Sequence, residues 1–195
     1  MTDQVNSGRR KVVAITAAAG ACAGVAAALP FAASMLPSER AKALGAPVEA
    51  DISGLAPGEM QILEWRGKPV WIIRRTPEML AGIKKSEGNL ADPKSEVPQQ
   101  PAYAQNEFRS IKDEYAVLVG VCTHLGCSPQ FKSLDAQAEM GADWGGGFYC
   151  PCHGSKFDFA GHVYKGVPAP INLQVPPYTY LSDTKILIGD DTKGA

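Results

Sequence analysis

Four of the five cysteines and two of the three histidines fall in two six-residue clusters. The first is Cys122-Thr123-His124-Leu125-Gly126-Cys127, and the second is Cys150-Pro151-Cys152-His153-Gly154-Ser155. The pattern is C-x-H-x2-C, a 22-residue spacer, then C-x-C-H. Thiolate sulfur and imidazole nitrogen are the ligands that borderline and soft metals select. Two chemistries fit this donor set. A structural zinc site takes four ligands as Cys2His2 and leaves two cysteines over; it predicts a colourless, redox-silent module. A [2Fe–2S] cluster with two cysteines on one iron and two histidines on the other also takes four. The two cysteines left can then close a disulfide between the loops, which suits an oxidising compartment, where free thiols do not persist.

The elements that must position these loops read as β-structure. From residue 48 to the end there are 148 residues, enough for one independent core. Met60–Trp65 and Pro69–Arg74 flank a short turn at Arg66-Gly67-Lys68, a hairpin signature. Tyr115–Val121 is an apolar, β-branched run of strand length that leads straight into Cys122. Tyr178–Leu181 and Lys185–Gly189 pair across Ser182-Asp183-Thr184. A short helix is expected over Glu78–Lys85, entered through Thr76-Pro77 with Pro in its first turn. The polar stretch Ser86–Gln105, with three prolines, reads as a long surface excursion between strands. Asp135–Asp143 and Gly145-Gly146-Gly147 connect the two clusters, the glycines serving tight turns. His162 has no motif around it and reads as a surface histidine; Trp65, Trp71 and Trp144 read as core. The fold class expected is all-β and antiparallel, behind a single N-terminal transmembrane helix.

That helix is drawn from 27 consecutive uncharged residues, Val12 to Ser38. The apolar part, 12–36, spans roughly 37 Å as a helix at 1.5 Å per residue, more than the ~30 Å hydrocarbon core of a bilayer. Ser7-Gly8-Arg9-Arg10-Lys11 precedes it, a twin arginine resembling the signal of folded-protein export. Its positive charge holds residues 1–11 in the cytoplasm and puts the rest across the bacterial inner membrane, in the periplasm. A cleaved signal peptide near Ala32-Ala33-Ser34, or a buried Ala-rich helix, are the competing readings, and Cys22 within the segment reads as inert. Residues 37–47, small and mixed in charge between two prolines, suit a flexible tether.

Composition narrows the functional classes. The formal net charge is −1, which argues against a nucleic-acid partner, because phosphate recognition needs a basic surface. Twenty Gly and fifteen Pro make the chain turn-rich, short of the roughly 25–30% that marks low complexity.

The complete C-T-H-L-G-C and C-P-C-H-G-S signatures resemble those of the Rieske iron–sulfur family, as do the twin-arginine start, single anchor, tether and later Gly166-Val167-Pro168-Ala169-Pro170. The resemblance covers nearly the whole chain and is strongest to the Rieske subunits of bacterial ubiquinol–cytochrome c reductases. It implies one [2Fe–2S] cluster, with Cys122 and Cys150 on the inner iron, His124 and His153 on the outer iron, and a Cys127–Cys152 disulfide. It implies a β base domain (48–195) with an inserted cluster-binding subdomain at about 121–170. Leu125, Gly126, Gly154 and Pro168 would surround the cluster, Leu125 also touching the quinone pocket. Ser155 occupies the place from which a hydroxyl donates to a bridging sulfide. At 157, where many high-potential members carry a Tyr donating to a cysteine sulfur, this chain has Phe157. A lower midpoint than in Tyr-bearing relatives is therefore expected.

The implied function is proton-coupled acceptance of an electron from ubiquinol through His153, with His124 beside it, and delivery to a membrane c-type cytochrome. A b-type cytochrome subunit and a dimeric complex are the implied partners, and catalysis belongs to the complex. Two ferric ions, two sulfides and two thiolates sum to zero charge, so a His2Cys2 cluster takes an electron more readily than an all-thiolate one. Its class spans roughly −150 to +300 mV, against about −400 mV for plant-type ferredoxins. Reduction beside an imidazole N–H raises its pKa, which couples electron to proton. Another exported oxidoreductase, of arsenite-oxidase type, is the alternative; soluble Rieske ferredoxins and dioxygenases usually lack the extra cysteine pair.

Overall fold

Arg66 and Gly67 both take positive φ, 52° and 70°, the two-residue turn whose twist matches that of the strands it joins. The turn closes the hairpin of β2 (Met60–Trp65) and β3 (Lys68–Arg74), in the register Met60↔Ile73 through Trp65↔Lys68. In the computed structural model, which describes residues 7–192, β4 (Tyr115–Val119) adds antiparallel to β3. All five residues of β4 are buried, as is the centre of β3. That explains why both read as continuous apolar runs rather than alternating ones.

Two further three-stranded antiparallel sheets complete the head. β1 (Val48–Asp51) and β8 (Tyr178–Ser182) flank β9 (Lys185–Ile188). β5 (Gln130–Lys132), β6 (Gly147–Tyr149) and β7 (Lys156–Phe157) form the third, in that order. One apolar core runs through all three, with Ile72, Val117, Leu118, Phe148, Phe157, Leu173 and Ile186 fully buried. The sequence reading of an antiparallel β head behind one apolar helix holds.

The chain divides into two units, one ending at Ala43 and one beginning at Leu44. In the first, α1 (Ser7–Ser34) is long and apolar enough to cross a membrane, and its residues are exposed throughout. The first six residues of the N-terminal signal-like segment lie outside the described residues. Within the segment read as a tether, α2 (Glu39–Gly45) is helical, with Ser38 Oγ accepting the Ala41 N–H at 3.1 Å.

The expected helix is present as α3 (Pro77–Ser86), with Thr76 as N-cap accepting the Met79 N–H, a bond that satisfies one orphan amide of the first turn. After it, residues 86–105 run mostly along the surface without a strand, as expected, and are pinned to the head at a few points. Ser86, Leu90, Ser95 and Ala104 are buried, Ala91 N–H donates to Val163 O, and Val175 N–H donates to Gln99 O. Leu90 packs with Trp144 and Tyr164, while Val97 and Tyr103 stay exposed.

Of the three glycines between the clusters, Gly146 and Gly147 take positive φ, 83° and 145°, the backbone expected of tight turning, and Gly145 serves a different end. A turn falls at Ala142-Asp143, and a short helix α4 (Gln137–Met140) precedes it. Gly145 instead meets Gly82 of α3 backbone to backbone, where a Cβ on either would collide with the other's carbonyl oxygen. His162 corrects its sequence reading as a surface residue. It is 1% exposed, with Nδ1 2.9 Å from Asp158 Oδ2. The three tryptophans are buried, as read.

Candidate metal centre

Both clusters fold as the same closed loop, built from the same spacing. Cys122 N–H donates to Cys127 O at 2.8 Å and Gly126 N–H to Cys122 O at 3.0 Å. In the second loop Cys150 N–H donates to Ser155 O at 2.8 Å and Gly154 N–H to Cys150 O at 2.9 Å. Each loop needs a residue at positive φ in its fifth place. Gly126 (86°) and Gly154 (79°) supply it without the Cβ strain other residues would carry.

The loops are held from below by the sheets. β4 feeds Cys122 through Gly120, packed so closely on Trp71 that a Cβ there would overlap the indole. β6 ends at Tyr149, just before Cys150, and β7 begins at Lys156, just after Ser155. Across the top, Cys127 and Cys152 form a disulfide. It joins the sixth place of one loop to the third of the other.

The donor atoms are sorted by depth. Cys122 and Cys150 are each 2% exposed and unpaired, while His124 is half-buried and His153 exposed. The two imidazoles sit side by side, ring centroids 4.8 Å apart and nearly perpendicular. The Sγ atoms of Cys127, Cys150 and Cys152 lie within 4.8 Å of one another, but two of these are spent in the disulfide. Only Cys150 of that group offers a thiolate. Burial pushes the Cys122 thiol above its usual range, against hydrogen bonds from the His124 backbone and the Ser155 hydroxyl that pull it down. A bound metal supplies the positive charge that lets such a buried thiol ionise. Two inner thiols and two outer imidazoles, with the remaining cysteine pair cross-linked, fit a [2Fe–2S] group of the His2Cys2 kind.

The surrounding residues fall into place around this set. Leu125 is 71% exposed at the loop tip. Phe157 is fully buried in β7, in the same core as Cys122 and Cys150. Pro168 is exposed beside buried Ala169, whose N–H donates to Ser155 Oγ at 3.0 Å. Thr123, quoted in the motif but given no role from sequence, donates its hydroxyl to Ile171 O at 2.6 Å. The Pro168-Ala169-Pro170 loop is thus stitched to both clusters. No local signal reveals these two bonds, which span 14 and 48 residues.

The family described as "Rieske [2Fe-2S] domain" matches residues 48–177. The ubiquinol–cytochrome c reductase iron–sulfur subunit of Allochromatium vinosum is 56% identical, over 98% of this chain and 93% of that protein. The subunit of the same name from Bradyrhizobium diazoefficiens is 41% identical, over 89% of each. Among solved structures, a chain of a hyperthermophilic respiratory Complex III aligns with 29% identity and a TM-score of 0.46, over 90% of this chain and 98% of that one. The chain belongs to the Rieske [2Fe–2S] family, among the iron–sulfur subunits of ubiquinol–cytochrome c reductases.

Proposed function

We propose that Cys122 and Cys150 hold the inner iron and His124 and His153 the outer iron of the cluster. In this reading the chain accepts an electron and a proton from ubiquinol and passes the electron to a membrane-bound c-type cytochrome, next to a b-type cytochrome in a dimeric complex. The observation that carries the reading is the sorting of donors by depth: buried thiols below, adjacent imidazoles at the surface.

When bound, the cluster supplies a one-electron acceptor whose low charge favours reduction. The chain's own groups do the rest. The exposed His153 ring offers the nitrogen not used for ligation to a quinol hydroxyl, accepting its hydrogen bond and then its proton. Leu125, next in the chain to His124 and exposed, gives an apolar surface for a quinol ring to rest on. The Cys127–Cys152 cross-link keeps the loops in register, and the Ser155 hydroxyl donates to sulfur. Arg9, Arg10 and Lys11, ahead of the apolar stretch of α1, favour a cytoplasmic N-terminus and a periplasmic head.

The test is low-temperature EPR of the full chain in its membranes, after ascorbate and then after dithionite. A rhombic Rieske signal with ascorbate is expected. The same signal only with dithionite would remove ubiquinol as the donor. No signal under either reductant, in protein shown to hold metal, would return the site to zinc.

A further inference from the structure

Asn172 is fully buried and outside both clusters, yet it bonds two separate segments. Its Oδ1 accepts the Val163 N–H at 2.9 Å, just after the return from β7. Its Nδ2 donates to Asp92 O at 3.0 Å and lies 3.5 Å from Ser95 Oγ, both in the segment after α3. That socket is locked by its own bonds, since the Asp92 carboxylate accepts the Glu96 and Val97 N–H groups. Next along the chain, Leu173 N–H donates to Gly161 O at 2.8 Å. Asn172 therefore anchors the C-terminal end of the loop whose other end carries Ala169.

Ala169 N–H occupies a lone pair of the Ser155 hydroxyl oxygen at 3.0 Å. A hydroxyl rotates to suit its partners. With its oxygen pinned by an amide, the O–H turns to its other partner, the Cys122 sulfur, and is polarised toward it. A donor to sulfur favours the more negative, reduced cluster. Resting on the ligand assignment proposed above, we infer that Asn172 is a positioning residue for cluster potential, acting at a distance by holding Ala169 against Ser155.

The experiment is an EPR-monitored redox titration of the full chain in membranes, for wild type, N172A, S155A and the double variant. The expected result is a lower midpoint in S155A, a smaller shift in the same direction in N172A, and a double variant equal to S155A. Thermal stability falls in N172A whatever its role, so stability does not decide. A wild-type midpoint in N172A, or additive shifts in the double variant, overturns the inference while leaving the ligand assignment standing. Absence of a Rieske signal in wild type overturns the assignment and the inference with it. If N172A holds no cluster, N172D preserves the volume and the acceptor for Val163 but removes the amide donor, and the same comparison applies. Loss of the cluster from both variants, with S155A loaded, assigns Asn172 to assembly alone and overturns the inference.

Discussion

His162 Nδ1 lies 2.9 Å from Asp158 Oδ2, and neither side chain reaches solvent. The other carboxylate oxygen accepts the Ala160 and His162 N–H groups at 2.9 and 2.8 Å. Asp158 is also the leading charge that favours two buried guanidiniums, Arg75 and Arg109, both of which burial depresses to about 10. These arginines donate to the Phe108, Asp113, Ala160 and Leu173 carbonyls. A single carboxylate thus closes the turn after β7 and balances the charge beneath it.

Asp158→Ala should destabilise the head by about 3–5 kcal/mol, because it leaves buried cations without their counter-charge and orphans three donors. Urea unfolding, followed by tryptophan fluorescence, measures this. A loss below about 1 kcal/mol would show that the carbonyls alone hold the arginines.

Replacing both Cys127 and Cys152 by Ala should cost about 3.5 kcal/mol, the loop-closure value for a cross-link over a separation of 25 residues. The visible spectrum of the cluster should bleach at lower temperature than in wild type. Equal bleaching temperatures would mean that the loops are held by the sheets and not by the bridge.

Phe157→Tyr should raise the midpoint, because a phenol hydroxyl near the thiolates favours the reduced state. Phe157 is fully buried, so circular dichroism must first show the fold intact. An unchanged midpoint in folded protein would sink the proposal.

Burial raises Tyr178 to about 12, despite the hydrogen bond that its oxygen accepts from Ile111 N–H at 2.8 Å. The folded phenol holds its proton while the unfolded one ionises near 10. The native state therefore binds more protons between about pH 10 and 12, and stability from this group falls across that window, by roughly 2–3 kcal/mol. Arg75 and Arg109 contribute with the opposite sign over the same range, so the comparison is between wild type and Y178F. The variant should lose less stability from pH 10 to 12 in chemical denaturation. Parallel curves for the two proteins would refute the assignment.

The donor set, the apolar helix and the two hairpins could be read from the chain because each is local. A C-x-H-x2-C run, a long uncharged stretch and a turn between β-branched runs express themselves within a few residues. The tertiary structure decided what depends on distant partners. His162 looked solvent-facing because nothing nearby marks it, and only the turn closed by Asp158 buries it. The 86–105 segment reads as a surface loop and is one for most of its length, but its polarity does not show that Asp92 O and Ser95 Oγ meet the side-chain amide of Asn172, some 80 residues on. Gly145 looked like a turn residue, and its need for glycine comes from Gly82, 63 positions earlier. Bonds from Thr123 to Ile171 and from Ala169 to Ser155 link the Pro168 loop to both clusters. A side chain's type states which bonds it can make; which partner satisfies them in the interior is settled only when packing excludes water and leaves each buried group one place to go.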